Sequence, residues 1–111
     1  MLLRDIAHAR AGDKGDISNI SVIAFDHSDY LLLEKFLTPE RVKEHFGSIV
    51  QGQVLRYTLP HLGALNFVMY GALAGGVTRS LALDAHGKCL SSAMLSMALP
   101  QRQQQRLITP S

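Results

Sequence analysis

Alternation of apolar and polar positions divides the chain into strands and helices. Leu3 to Ala9 opens as a strand, with Leu3, Ile6 and His8 competing for the inner face in imperfect alternation. Asn19-Ile20-Ser21-Val22-Ile23-Ala24-Phe25 alternates well and is β-branched. Ile20, Val22 and Ala24 share one face and Ile23 and Phe25 take the other, which reads most simply as a strand covered on both faces. Asp26-His27-Ser28 ends it, and Ser28 is placed to cap a helix over Asp29 to Leu37 whose buried side holds Tyr30, Leu33 and Leu37 or Leu32 and Phe36. A second start signal comes next, in which Thr38 caps, Pro39 fits the first helical position and Glu40 suits the positive helix end. Val42, His45, Phe46, Ile49 and Val50 then recur at spacings of three and four, an amphipathic helix closed by Gly52.

Period two returns in Val54 to Leu59 and stops at Pro60, which has no N–H to give a ladder. Ala64 to Ala72 holds another strand, centred on Leu65, Phe67 and Met69 with Asn66, Val68 and Tyr70 opposite. Gly71 and Gly75-Gly76 interrupt the pattern at its end. Thr78 to Asp84 alternates again, and Ala85-His86-Gly87-Lys88 is a hairpin turn. Leu90 to Leu99 can pair back as a strand, although its Met, Ala and Leu content also suits a helix; the hairpin turn favours the strand. Strands before, between and after helices imply an α+β fold, an antiparallel sheet packed against one or two helices, with a ferredoxin-like arrangement the closest simple member. The expected domain is residues 1–100. Gln101-Arg102-Gln103-Gln104-Gln105-Arg106 and the residues after it, 101–111, read as a polar, frayed tail.

Composition narrows the setting. At 111 residues, 47% hydrophobic and 18% charged, the chain has the balance of a folded globular domain. Cys89 is the one cysteine, so no disulfide framework or cysteine-rich zinc site can form within a chain, which fits a reducing, cytoplasmic compartment. Arg4 and Asp5 interrupt any signal-peptide core, and no run approaches the length of a membrane span. The net charge of +2 comes from the tail. Of the eleven Lys and Arg, Arg102 and Arg106 lie beyond residue 100, leaving nine against nine Asp and Glu, a balance that argues against nucleic acid as partner.

Candidate chemistry concentrates in Arg10-Ala11-Gly12-Asp13-Lys14-Gly15-Asp16-Ile17-Ser18-Asn19. It reads as a glycine-rich connection between two strands, with more charge than a turn requires. Gly12 and Gly15 can take positive φ and open the backbone to a ligand, while Arg10, Lys14, Asp13, Asp16 and Asn19 supply donors and acceptors. Two readings stand: a turn whose charges pair among themselves, and a site for an anion held by Arg10, Lys14 and free N–H groups. The spacing matches neither a P-loop nor a dinucleotide fingerprint nor an EF-hand, so no metal is expected at Asp13, Asp16 and Asn19. Asn66, Arg79 and Ser80, beside the second glycine cluster, either converge with the first segment on one pocket or belong to a bulge and hairpin. The five histidines show no ligand spacing; His8, next to the charged segment, is the one placed to carry a proton. Ser80 and Cys89 have no base nearby in sequence, and no cofactor is indicated.

Ala9-Arg10-Ala11-Gly12-Asp13-Lys14-Gly15-Asp16 with Asn19, then Leu37-Thr38-Pro39-Glu40-Arg41-Val42, Ala64 to Gly76 and Thr78-Arg79-Ser80-Leu81, resemble the C-terminal domain of the AtuA family, named for acyclic terpene utilization. The likeness spans nearly all of residues 3–98. It implies a ferredoxin-like domain that usually follows a much larger N-terminal domain, in bacterial clusters that break down acyclic terpenes and related acyl-CoA intermediates. The large domain has no counterpart here, so the expectation is a freestanding accessory or assembly module, self-associating through exposed strand edges and working with a separate, larger AtuA-type partner. The alternative is an enzyme or enzyme subunit that binds an acyl-CoA or small carboxylate through the Arg10 to Asn19 segment, with Asp13 or Asp16 handling a proton and Asn66 bonding a carbonyl. The resemblance supplies fold and context but no catalytic residue.

Overall fold

Period-two alternation builds the two central strands of an antiparallel sheet. The computed structural model describes residues 1–14, 17–71 and 89–100. Strands β1 (Ala7–Lys14), β2 (Ile17–Ala24), β3 (Val54–Leu59) and β4 (Ala64–Tyr70) form one sheet in the order β1-β2-β4-β3, every neighbouring pair antiparallel. Helices α1 (Tyr30–Phe36) and α2 (Pro39–Phe46) lie between β2 and β3 in sequence, and α3 (Cys89–Leu95) comes after the sheet. The class is the α+β one that the order of elements implies, with three helices rather than one or two among the described residues. None of these helices is long and apolar enough to cross a membrane.

Register decides which side chains meet. Val22 pairs Leu65 and Ile20 pairs Phe67, so these four, with Met69, Ala7 and Val54, share the inner face. The helices cover it with Leu32, Leu33, Leu37, Val42, Phe46, Leu90 and Met94, all buried in one continuous core. Burying each large side chain of this kind contributes about 1.5–3 kcal/mol. The opposite face is not covered by any described element, so among the described residues β2 is buried on one side and not on both. Its alternating pattern with Ser18, Ile20 and Val22 inward is the ordinary signature of a half-buried antiparallel strand.

Several local boundaries differ from those the alternation implies, each for a local reason. Leu3–Asp5 is a 3-10 turn, closed by the Asp5 carboxylate accepting from the Leu2 N–H at 2.8 Å, and β1 starts only at Ala7. Its far end is longer than expected: the supposed connection through Arg10 is strand as far as Lys14, because β2 supplies a ladder partner for every residue from Ala7 to Lys14. Asp26 rather than Ser28 caps the turn before α1, accepting from the Ser28 N–H at 2.9 Å. Thr38 caps α2 as expected, accepting from the Arg41 N–H at 3.2 Å, but the helix ends at Phe46, where Gly47 takes φ 59°. Residues 89–95 are helix, not strand, with Leu90 and Met94 one turn apart on the buried side. The strand at Thr78 to Asp84, the turn at 85–88, the Gly75-Gly76 break and the tail at 101–111 lie outside the described residues.

Polar side chains tie the layers together through backbone carbonyls. Arg56, on the inner face of β3, donates to the Glu34 and Leu37 carbonyls at the C-terminal end of α1, at 2.7 and 3.0 Å. His45 Nε2 reaches the Ala93 carbonyl of α3 at 2.7 Å, and His27 Nε2 reaches Pro60 in the β3–β4 connection at 2.7 Å. The two ends of the described chain also pair: Leu3 N–H donates to Met97, Leu99 N–H donates to Met1, and Leu2 bridges Ala98.

Two outcomes test this arrangement. A Cβ at Gly52 would stand 2.5 Å from the Tyr70 carbonyl oxygen, whereas one at Gly12 meets nothing within 4 Å. Gly52→Ala is therefore expected to cost about 1–3 kcal/mol in urea unfolding, and Gly12→Ala, free of positive φ, to be neutral or to stabilise by about 0.4–1 kcal/mol. Tyr30 supplies the second. Its buried hydroxyl has no hydrogen bond of good geometry. Burial first and the Glu34 charge second raise its pKa above 10.0, against smaller opposing effects of Arg56 and the Thr58 hydroxyl. The native state thus holds this proton more tightly than the unfolded one. Its contribution to stability is complete below the unfolded pKa and is lost as pH rises through the native value. Urea midpoints followed into the alkaline range should fall more steeply for the natural protein than for Tyr30→Phe.

Candidate functional site

The outer sheet face is where the sequence-selected polar residues meet. Antiparallel pairing sets them in rows across the four strands. One row runs Arg10, Ser21, Asn66, Tyr57, and the next runs Gly12, Asn19, Val68, Leu55. His8, Ile23, Ala64 and Leu59 form a third row on one side, and Ile17 and Tyr70 belong to a fourth on the other. Directly paired residues lie on the same side of the pleat, so all of these share the face opposite the core. Arg10 and Asn66, drawn from distant parts of the sequence, are therefore on one surface.

At its centre is a hydrogen-bonded polar cluster. Asn66 Nδ2 donates to Asn19 Oδ1 and to Ser21 Oγ, the latter at 2.9 Å. Both amide N–H groups of Asn66 are thereby spent inside the cluster. Around it the face is apolar and partly open: Ile17, Ile23, Leu55 and Val68 are half-buried, Tyr57 is 53% exposed and Tyr70 38%. At the β1 side, His8 stacks on Phe25 with ring centroids 5.5 Å apart, and Phe25 is 65% exposed. Arg10 is exposed, and its guanidinium has no partner among the described residues.

Among the described residues, Arg10 to Lys14 belong to a sheet and not to a glycine loop. Gly12 sits opposite Asn19 within the β1–β2 ladder, without positive φ, so its backbone is used by the sheet. Asp13 and Lys14 likewise belong to the ladder, opposite Ser18 and Ile17. Of the sequence-selected residues, the structure brings together Arg10, Gly12, Asn19 and Asn66. Gly15, Asp16, Arg79 and Ser80 lie outside the described residues. Among the described residues no group of three or more His, Cys, Asp or Glu is placed to hold a metal.

Tyr57, Leu55, Val68 and Ser21 belong to the same surface and were missed as site residues. Period two assigns Tyr57 and Leu55 to one side of β3, but only the pairing of β3 with β4 reveals that this side adjoins Asn66. Residues 1–100 of the 111 have a match among known families, the AtuA ferredoxin-like domain model. No curated protein and no solved structure matches the chain.

Replacement of Asn66 by alanine removes two hydrogen bonds at a half-buried position. The expected loss is about 1–2 kcal/mol in chemical unfolding, with the far-ultraviolet circular dichroism spectrum unchanged. A neutral result would mean that the cluster exchanges freely with water.

Proposed function

The chain belongs to the AtuA ferredoxin-like domain family, and from that premise we propose that it is an accessory or assembly module, working by association through its outer sheet face and not by catalysis. The observation that carries this reading is the state of Asn66. An enzyme acting on an acyl-CoA or small carboxylate here would need that amide to donate to a substrate carbonyl, and both of its N–H groups are already engaged by Asn19 and Ser21. The surroundings point the same way. Exposed aromatic and half-buried aliphatic side chains on a flat sheet, with a satisfied polar centre, have the composition of a protein contact surface rather than of a concave small-molecule site.

The family resemblance supplies the setting: a cytoplasmic system for acyclic terpenoid and acyl-CoA breakdown, in which a larger AtuA-type protein is the natural companion. In that role the module contributes surface and stability to an assembly whose chemistry resides elsewhere.

Sedimentation velocity of the protein, alone and mixed with a purified larger AtuA-type protein, tests association. A thermal-shift series with CoA thioesters tests the enzyme reading. The expected result is a species heavier than one chain that Val68→Glu removes, and no saturable shift with any thioester. A saturable shift abolished by Arg10→Ala, in a protein that associates with nothing, would overturn the proposal.

A further inference from the structure

Building on the reading of the outer face as an association surface, we propose that its occupant is a second copy of this chain, related by a two-fold axis parallel to the strands so that Arg10 of each copy lies over Tyr57 of the other. Charge distribution across the face selects both the partner and the axis. The basic positions with described side chains, His8 and Arg10, both stand on β1. On β2, β4 and β3 the face carries Ile17, Asn19, Ser21, Ile23, Ala64, Asn66, Val68, Tyr70, Leu55, Tyr57 and Leu59, with no charge among them. A surface that is basic along one edge and aromatic and aliphatic along the other is complementary to itself when reversed.

Two ways of laying the face on its own copy are available to a two-fold axis in the plane between the sheets. An axis perpendicular to the strands sets β1 over β1 and brings the two basic edges together. An axis parallel to the strands sets β1 over β3 and β2 over β4. Each row then lies over itself reversed, and the two Arg10 side chains stand about 14 Å apart laterally, three strand spacings. That separation exceeds the Debye length of about 8 Å at physiological salt. In exchange, each guanidinium gains the exposed face of Tyr57, a cation–π pair made twice.

The same operation accounts for two other features. Gly12 is a glycine inside a strand with no positive φ and nothing within 4 Å of where its Cβ would be, so the described residues give no reason for it. Reversal of its row places the partner copy's Leu55 over that open space, and a glycine in a strand commonly marks such a close approach. Reversal of the Arg10 row also places Ser21 over Asn66. With both N–H groups of Asn66 engaged, its Oδ1 remains an acceptor, and the Ser21 O–H, whose oxygen already accepts from Asn66, remains a donor. The pair can therefore close across the axis, directly or through one water. The footprint, four strands wide and about seven residues long, is about 450 Å2 per copy in projection. This is the low end of specific interfaces, so the dimer is expected at micromolar rather than nanomolar concentration.

Sedimentation equilibrium of the full chain over a micromolar range should fit a monomer–dimer equilibrium. Arg10→Ala and Tyr57→Ala should each weaken it about tenfold or more. Gly12→Leu should abolish the dimer while leaving the thermal midpoint of the monomer intact, since a Cβ there has nothing within 4 Å among the described residues. In a Cys89→Ser background, a bis-maleimide too short to span three strand spacings should link copies carrying both R10C and Y57C, and should not link copies carrying R10C alone. A monomer at 100-fold the expected dissociation constant, a dimer indifferent to Gly12→Leu, or crosslinking by R10C alone would each overturn the two-fold pairing. Failure here is distinct from failure of the module reading: a chain that is monomeric alone but binds a larger AtuA-type protein through Val68 loses this pairing and keeps that function.

Discussion

The register of β2 against β4 is the constraint on which the rest of the structure depends. Ile20 opposite Phe67 and Val22 opposite Leu65 put the apolar set of both central strands on one side. The same pairing puts Ser21 opposite Asn66 on the other. A slip by one residue would send Asn66 and Ser21 into the helical layer and expose Phe67, because strand side chains alternate with a period of two. An unsatisfied buried amide costs about 1–3 kcal/mol, in addition to the lost burial of Phe67. Core and candidate surface are thus two consequences of one pairing, and a substitution that shifts the register alters both.

Given that sheet, the helical layer is fixed by a repeated device: a basic side chain reaching carbonyl groups that helices and turns leave over. Arg56 serves the end of α1, Lys43 serves the Val50 and Gly52 carbonyls, His45 serves Ala93 and His27 serves Pro60. Such bonds satisfy acceptors that the helices and turns leave over, and those from Arg56 and Lys43 are charge-assisted. Arg10 stands apart from this group. It reaches no carbonyl among the described residues, sits in the middle of a strand and faces away from the core, so the described scaffold gives no account of its charge. That contrast, more than exposure alone, makes the outer face the candidate site.

Much of this fold was legible in the sequence where periodicity was unbroken. β2, β3 and β4 follow their alternation, Pro60 ends β3, and Thr38-Pro39 starts α2 as its capping chemistry requires. Legibility failed where composition and partner disagreed. Arg10 to Lys14 has the glycine and charge of a turn but is strand, because a ladder partner on β2 outweighs weak intrinsic preference. Residues 90–95 have no strong bias either way, and packing of Leu90 and Met94 into the core decides for helix. The surface was half legible: Arg10, Asn19 and Asn66 attract notice as polar residues in odd places, whereas Tyr57, Leu55 and Val68 look like ordinary strand residues until β3 is docked on β4.

The charge of β1 acquires a different meaning once it is seen as a strand. β1 and β3 are the outermost of the described strands, and an exposed edge invites pairing with another chain. Charged residues along an edge strand discourage that pairing, since a second strand laid alongside would strip water from them. Arg10 to Lys14 therefore works against the edge-to-edge association that the exposed strands first suggested, and α3 packs against β1 as well. The sheet's flat face carries the opposite character, with aromatic and aliphatic groups around a satisfied polar centre. On the proposed reading association goes through the face and not the edge, and the charged strand from Arg10 to Lys14 borders that face.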